Sequence, residues 1–328
     1  MSINRNKLNL GIQRISAKIT LFTLAITSMI VLNSWAQSND IDVFKIITDI
    51  SSAFYTIQEL NYSSNQLDEM LKSLSERLVS INSKEEKIEI LNDFLFKEMQ
   101  FQYEKSLDNV KFALLPSVVK ERKGNCIGLS TLYLYLGQKL NLPICAVVAP
   151  NHIFVRLKDY QKPVNIELGD FGNAHSYQEY TERFGISKEM DDAIYMKDLT
   201  NQEFVGIIYC NLGVIFLKKG DLPNAIKMLE NSQSLIKGLP ESYSNLGVAY
   251  LSSGRIDDAI IQFNEALKYN PVNARTYSNL GSAYDDKKEY GLAISSYKKA
   301  LQIEPDSVAI KNNLAIAEKH KQGRNQIR

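Results

Sequence analysis

The tripeptide Asn-Leu-Gly stands at 211–213, at 245–247 and at 279–281, and a degenerate copy, Asn313-Leu314-Ala315, follows at the same interval of 34 residues. A fixed period of that length argues against one globular core over the C-terminal part. Each repeat is one supersecondary unit whose apolar face only its neighbours can bury, so residues 204–320 are expected to stack as a one-dimensional array.

The second repeat carries Tyr243, Leu246, Gly247, Tyr250, Ala259, Phe263, Ala266 and Pro271, and the third has Tyr277, Leu280, Gly281, Tyr284, Ala293, Tyr297, Ala300 and Pro305 at the same offsets. In this pattern the array resembles the tetratricopeptide repeat. The resemblance implies an all-α solenoid of helix pairs whose groove takes a protein or peptide partner. Gly247 and Ala259 permit close approach of paired helices, the large residues fill the interfaces between repeats, and Pro271 and Pro305 end the second helix of each pair. The first repeat has Lys237 in place of that proline, and the fourth unit offers a single polar helix from Val308, a cap on the stack, before a polar tail at 321–328. The groove positions include Val214, Val248 and Ser282, with Cys210, Ser244 and Ser278 beside them. Little positive charge is apparent there, which disfavours clamping of a terminal carboxylate. An array that merely stabilises or dimerises the rest of the chain fits the same residues.

Residues 1–36 differ in kind. Arg5, Lys7, Arg14 and Lys18 precede an uncharged apolar run from Ile19 to Leu32, then Ser34-Trp35-Ala36. The run is short beside the roughly 20 residues of a membrane span, and small residues occupy the last and third-last positions. An export signal cut after Ala36 is expected, making the mature chain periplasmic or secreted with no membrane span; an uncut anchor is the other reading. Cutting there removes four of the 38 basic residues and none of the 37 acidic ones, leaving a net charge of −3. A near-neutral chain without a basic block gives no reason to expect a nucleic-acid partner. Cys126, Cys145 and Cys210 all remain, and an odd number in an oxidising compartment leaves at least one thiol unpaired within the chain.

Between leader and array, residues 37–203 open with three expected helices, Ile41 to Leu60, Asn65 to Val79 and Lys84 to Met99. The pattern changes at Gly124-Asn125-Cys126, which opens an apolar helix running to Asn141. Asn125 is a plausible N-cap, placing Cys126 in the first turn, where unpaired backbone donors favour the nucleophilic thiolate. A strand is expected over Ile144 to Ala149, a second from Ile153 to Leu157 with alternating exposure through Arg156, and a third from Val164 to Leu168 after a turn at Asp159 to Pro163. A Cys on a helix, packed on a hairpin bearing His152 and followed by an acid, is the arrangement a thiol nucleophile needs.

Gly124-Asn125-Cys126, Leu142-Pro143, Pro150-Asn151-His152-Ile153-Phe154 and Asn165-Ile166-Glu167 together resemble the transglutaminase-like superfamily, in particular its bacterial exported branch fused to tetratricopeptide repeats. The resemblance implies an α+β domain with a helical N-terminal part and a Cys-bearing helix on a small antiparallel sheet. It implies Cys126 as nucleophile, His152 as base and Glu167 as the acid that orients it; many relatives have Asp there, and Asp170 is the second candidate. Water as acceptor makes an amidase or peptidase and an amine makes a cross-linker, and the motif is common to both. One oxyanion donor is the Cys126 N–H, while the sequence names no second. Cys145, within a strand, and Cys210, within a repeat helix, read as apolar filler, and His175 and His320 stand in no motif with an acid or thiol. No CxxC, HExxH or phosphate-binding glycine loop occurs, so no metal or cofactor is expected. A catalytically silent scaffold or adaptor in the cell envelope is the alternative function.

Overall fold

A computed structural model describes residues 43–105, 110–158, 163–190 and 193–326. The leader at 1–36 and the turn residues 159–162 lie outside them. The helical part begins with α1 (Val43–Ser51), α2 (Ile57–Leu78) and α3 (Lys84–Asn92), the last continuing into a wider turn over Asp93–Glu98. The break between the first two helices comes earlier than the sequence suggested. Thr56 accepts from the Glu59 N–H while the Glu59 side chain accepts from the Thr56 N–H, a capping box that starts α2 at Ile57 and leaves Asn61–Ser64 inside the helix. Leu67, Met70, Leu74 and Leu78 are buried along one face of it.

Next come β1 (Gln102–Tyr103), α4 (Leu115–Glu121), β2 (Lys123–Gly124) and α5 (Cys126–Lys139). Strands β1 and β2 pair in parallel and set Tyr103 opposite Gly124, two residues before Cys126. Four antiparallel strands follow in spatial and chain order: β3 (Ile144–Ala149), β4 (His152–Leu157), β5 (Val164–Glu167) and β6 (Asn173–His175). The sequence did not suggest β6. Residues 196–199 cover the free edge of β3, with Met196 N–H donating to Val148 O and Leu199 N–H to Ala146 O. The exposure expected to alternate along β4 is absent, because both faces are covered. Ile153, Val155 and Leu157 join the core with α5, while Phe154 joins a second cluster with Cys145, Val147 and Tyr180. Arg156 stays inside by donating to Asn165 Oδ1 and pairing with Asp198 at 2.7 Å.

After α6 (Tyr177–Arg183), the array consists of α7 (Asn201–Lys218), α8 (Leu222–Leu235), α9 (Pro240–Ser252), α10 (Ile256–Tyr269), α11 (Ala274–Asp286), α12 (Tyr290–Ile303) and the capping helix α13 (Val308–Gln326). Its first helix begins at Asn201, ahead of residue 204, because Thr200 and Glu203 form another capping box. Where Lys237 replaces the expected proline, Gly238 turns the chain with φ 73° and Pro240 takes the first turn of α9, doing the same job three residues on. The paired helices pack very closely: a Cβ on Gly247 would fall 2.6 Å from the Phe263 ring, and one on Gly281 2.7 Å from Tyr297. Helix α13 runs past residue 320, so part of the expected polar tail is helical.

No linker separates the two parts. Phe204, Ile208 and Leu212 of α7 share one apolar cluster with Leu129, Leu132 and Val148, and α1 packs against α7. Among the described residues, no helix is long and apolar enough to cross a membrane.

Candidate active site

Asn125 is fully buried and caps α5. Its Oδ1 accepts the N–H groups of Ile127 (3.1 Å) and Gly128 (3.0 Å), and its carbonyl accepts that of Leu129 (2.9 Å). The N–H of Cys126 is the first-turn donor this cap does not take up. Such a cap stabilises a helix by about 1 kcal/mol. The turn is pressed in from behind: Asn125 N–H donates to Phe112 O (2.8 Å), and a Cβ on Gly128 would lie 2.1 Å from that oxygen. Only glycine allows this approach.

His152 opens β4 after the two-residue turn Pro150-Asn151, in which Asn151 takes φ 55°, a left-handed conformation that Asn tolerates. Its Nε2 lies 2.7 Å from Glu167 Oε2, and the imidazole also shares a side-chain hydrogen bond with Cys126. Phe184 stacks on the imidazole at 4.8 Å with 12° between planes. Glu167, at the end of β5, also accepts from Tyr180 Oη–H (3.0 Å) on Oε2 and from Gly169 N–H (2.9 Å) on Oε1. The structure thus brings Cys126, His152 and Glu167 together in one hydrogen-bonded line.

The electrostatics follow from that line. Burial works against a charge on His152, but its hydrogen bonds to Cys126 and Glu167 and the attraction of both anions outweigh it, raising the pKa to about 9. Burial alone would push the Glu167 carboxyl up; the bonds and charge of His152, with the Gly169 N–H and the Tyr180 hydroxyl, leave it below its ordinary value. Tyr103 feels the pair too, its hydroxyl pushed up to about 12 by burial and then by the charges of Cys126 and Glu167.

The second candidate acid goes elsewhere. Asp170 Oδ2 lies 3.0 Å from His175 Nε2 near the surface, so His175 has an acidic partner that no motif announced. His320 likewise pairs with Asp285 at 3.0 Å. All three cysteines are free and buried. The thiols of Cys145 and Cys210 are each pushed up to about 12, chiefly by burial, which suits filler and not a nucleophile.

Cys126 and His152 open on a cavity of about 230 Å³. Its other wall belongs to the array: Cys210 and Val214, as the groove positions suggested, and also Asn211, Glu241 and Asn245. Ser244 and Ser282 are engaged instead with Thr276 and Tyr297. Lys218 and Arg275 also line this cavity, so the groove carries more positive charge than the sequence suggested.

A profile of the transglutaminase-like superfamily matches residues 62–209, and two tetratricopeptide-repeat profiles match 204–271 and 244–308. The chain carries a transglutaminase-like domain followed by tetratricopeptide repeats. Protein SirB1 of Salmonella typhimurium is 24% identical to it over 98 residues, 30% of this chain and 36% of that protein, so the match spans about a third of the relative's length. Among solved structures, MamA is 28% identical with a TM-score of 0.35, covering 37% of this chain and 70% of its own. The Sgt2 TPR domain from Aspergillus fumigatus is 24% identical with a TM-score of 0.36, covering 37% and 82%.

Around the transglutaminase-like site, Gly169, Tyr180, Phe184 and Tyr103 were missed in the sequence. Tyr180 and Phe184 were findable, since they lie four apart, on and at the C-cap of a helix announced by the Ser176–Glu179 capping box. On the array, the Asn of Asn-Leu-Gly marked the period, yet at 211 and 245 it lines the cavity; Ile207, Glu241 and Arg275 are a second set of equivalent positions spaced 34 apart.

Proposed function

We propose that the protein is an exported thiol enzyme that cleaves or transfers an acyl group, with its repeats holding the substrate protein or anchoring the enzyme in an envelope complex. The hydrogen-bonded line from Cys126 through His152 to Glu167, opening on a cavity, supports this reading. The Cys126 sulfur adds to an amide or ester carbonyl, and charge gathers on its oxygen beside the Cys126 N–H. The His152 imidazolium gives its proton to the leaving amine or alcohol as the carbon–nitrogen or carbon–oxygen bond breaks, leaving a thioester. Water or an amine then gives a proton to His152 and displaces the sulfur. Glu167 keeps the imidazole oriented and favours its charged form throughout.

The test is p-nitrophenyl acetate turnover, with mass spectrometry of the acetylated chain. An acyl group on Cys126, absent in Cys126→Ala, is expected. A chain that is never acylated, and whose Cys126 reacts with iodoacetamide no faster than a free cysteine peptide, is the silent scaffold instead. Export is tested by the N-terminus of the protein recovered from outside the cytoplasm, which is expected at Gln37.

A further inference from the structure

His152 follows directly on a turn that suits its hairpin badly. The register joins Ala149 to His152, which leaves two residues, Pro150 and Asn151, to reverse the chain. Two-residue turns that match the twist of paired strands need a positive φ at their first position, and proline cannot take one. Here the left-handed residue is the second, Asn151 at φ 55°. Proline followed by a left-handed Asn marks a type II turn, which splays the strands it joins. Left to itself, such a turn fixes the imidazole poorly. The Asn151 N–H lies outside the strand pairing, where another part of the molecule can hold it.

The array supplies that hold. Glu241, in the first turn of α9, accepts the Asn151 N–H on Oε1 at 3.0 Å, across 90 residues of sequence. The same oxygen accepts from the Tyr195 hydroxyl at 2.8 Å, and Tyr195 shares a further side-chain hydrogen bond with Asn270 at the end of α10. Tyr195 is buried, and both its neighbours are tied down: Ile194 N–H donates to Gly238 O in the turn before α9, and Met196 N–H to Val148 O on β3. The oxygen that meets the turn is thus fixed by two helices of the array and by the segment that crosses to the sheet.

We propose that Glu241 is a positioning residue for His152, so that the second repeat sets where the base stands and the array is a working part of the site it flanks. The inference rests on the reading of His152 as the base of Cys126. Misplacing a catalytic group by about 1 Å can cost about 10²-fold in rate, and the restrained residue is the imidazole's immediate neighbour. The hold needs an oxygen and not a charge. Burial already works against ionisation of Glu241, and a neutral carboxyl or amide oxygen still accepts from both donors.

Substitutions in the full chain separate positioning from a merely structural role. One readout is the titration of the His152 ring by NMR, its signal assigned by its loss in His152→Ala. The other is the rate of Cys126 alkylation by iodoacetamide at pH 6, read at that residue by mass spectrometry. The ring is expected to titrate at about 9 in the wild type and in Glu241→Gln, and to move toward the ordinary value of about 6.5 in Glu241→Ala. Alkylation is expected to fall about tenfold or more in Glu241→Ala and to stay within about twofold in Glu241→Gln. Should Glu241→Ala lose the wild-type circular dichroism, Glu241→Asp keeps the charge, withdraws the oxygen by one methylene, and is expected to lose at least about threefold. Both readouts unmoved by removing or withdrawing the oxygen overturns the proposal, even if the urea midpoint drops. A Gln variant as impaired as the Ala variant overturns it too, because charge and not the hydrogen bond is then responsible. If the ring titration follows Glu241 while wild-type Cys126 reacts no faster than a free cysteine peptide, the enzyme reading falls and the tether stands. Fast alkylation that is indifferent to Glu241 removes the tether alone.

Discussion

The two walls of the cleft differ in how their polar atoms are settled. On the hairpin wall Glu167 accepts three hydrogen bonds, His152 is engaged by both Glu167 and Cys126, and Phe184 stacks on its ring. On the array wall Glu241 and Asn211 each keep a buried oxygen unpaired. A wall whose groups are satisfied holds its geometry whether or not a ligand is present, which is what chemistry needs. Unpaired buried acceptors on the other wall carry a desolvation cost that no hydrogen bond repays, so that wall is held in place by packing.

Substitutions can break that division, the largest effect first. Cys126→Ala is expected to lower p-nitrophenyl acetate turnover by roughly 10³-fold or more while leaving the circular dichroism unchanged. A smaller loss places the chemistry elsewhere. Replacing His152 by Ala is expected to slow iodoacetamide alkylation of Cys126 at pH 6 by about 10²-fold, since the general base and its charge go together. An unchanged rate means that the thiol is ordinary.

Glu167→Gln sharpens the comparison through pH. With its folded pKa raised to about 9, His152 adds stability that is fully present below its unfolded value of about 6.5 and lost as pH rises through about 9, and the alkaline limb of turnover should fall there too. Removing the Glu167 charge is expected to cost about tenfold in turnover and to move that limb down toward the ordinary histidine range. A limb that stays put shows that Glu167 does not set the charge on His152. Gly247→Ala, far from the thiol, is expected to lower unfolding stability by about 1–3 kcal/mol through overpacking against Phe263, read as a shift in urea midpoint. Asp170→Asn should change turnover by no more than about twofold, because its partner is the surface residue His175.

Much of this was legible in the sequence because it rests on local rules. The period of 34, the Gly247–Phe263 approach and the Asn125 cap are each set by near neighbours or by a repeated pattern. The choice of Glu167 over Asp170 was not local: the two lie three residues apart in the chain, and only the register of β5 against β4 and β6 decides which of them reaches His152. The break before α2 was missed because Asn61–Ser64 look like a loop, although the capping box at Thr56 was there to be found. Glu241 carried no warning at all. It occupies a variable position of a repeat, and its meaning comes from the Asn151 turn, 90 residues earlier, that packs against it.

Helix α7 lies under both profile matches, closing the transglutaminase-like one and opening the first repeat at 204–209. A joint made of a shared helix has no slack. Grafting a foreign array onto this domain, or exchanging arrays between relatives, would rebuild the floor of the cleft along with the handle. The two halves are therefore expected to be inherited, and engineered, as one piece cut outside α7.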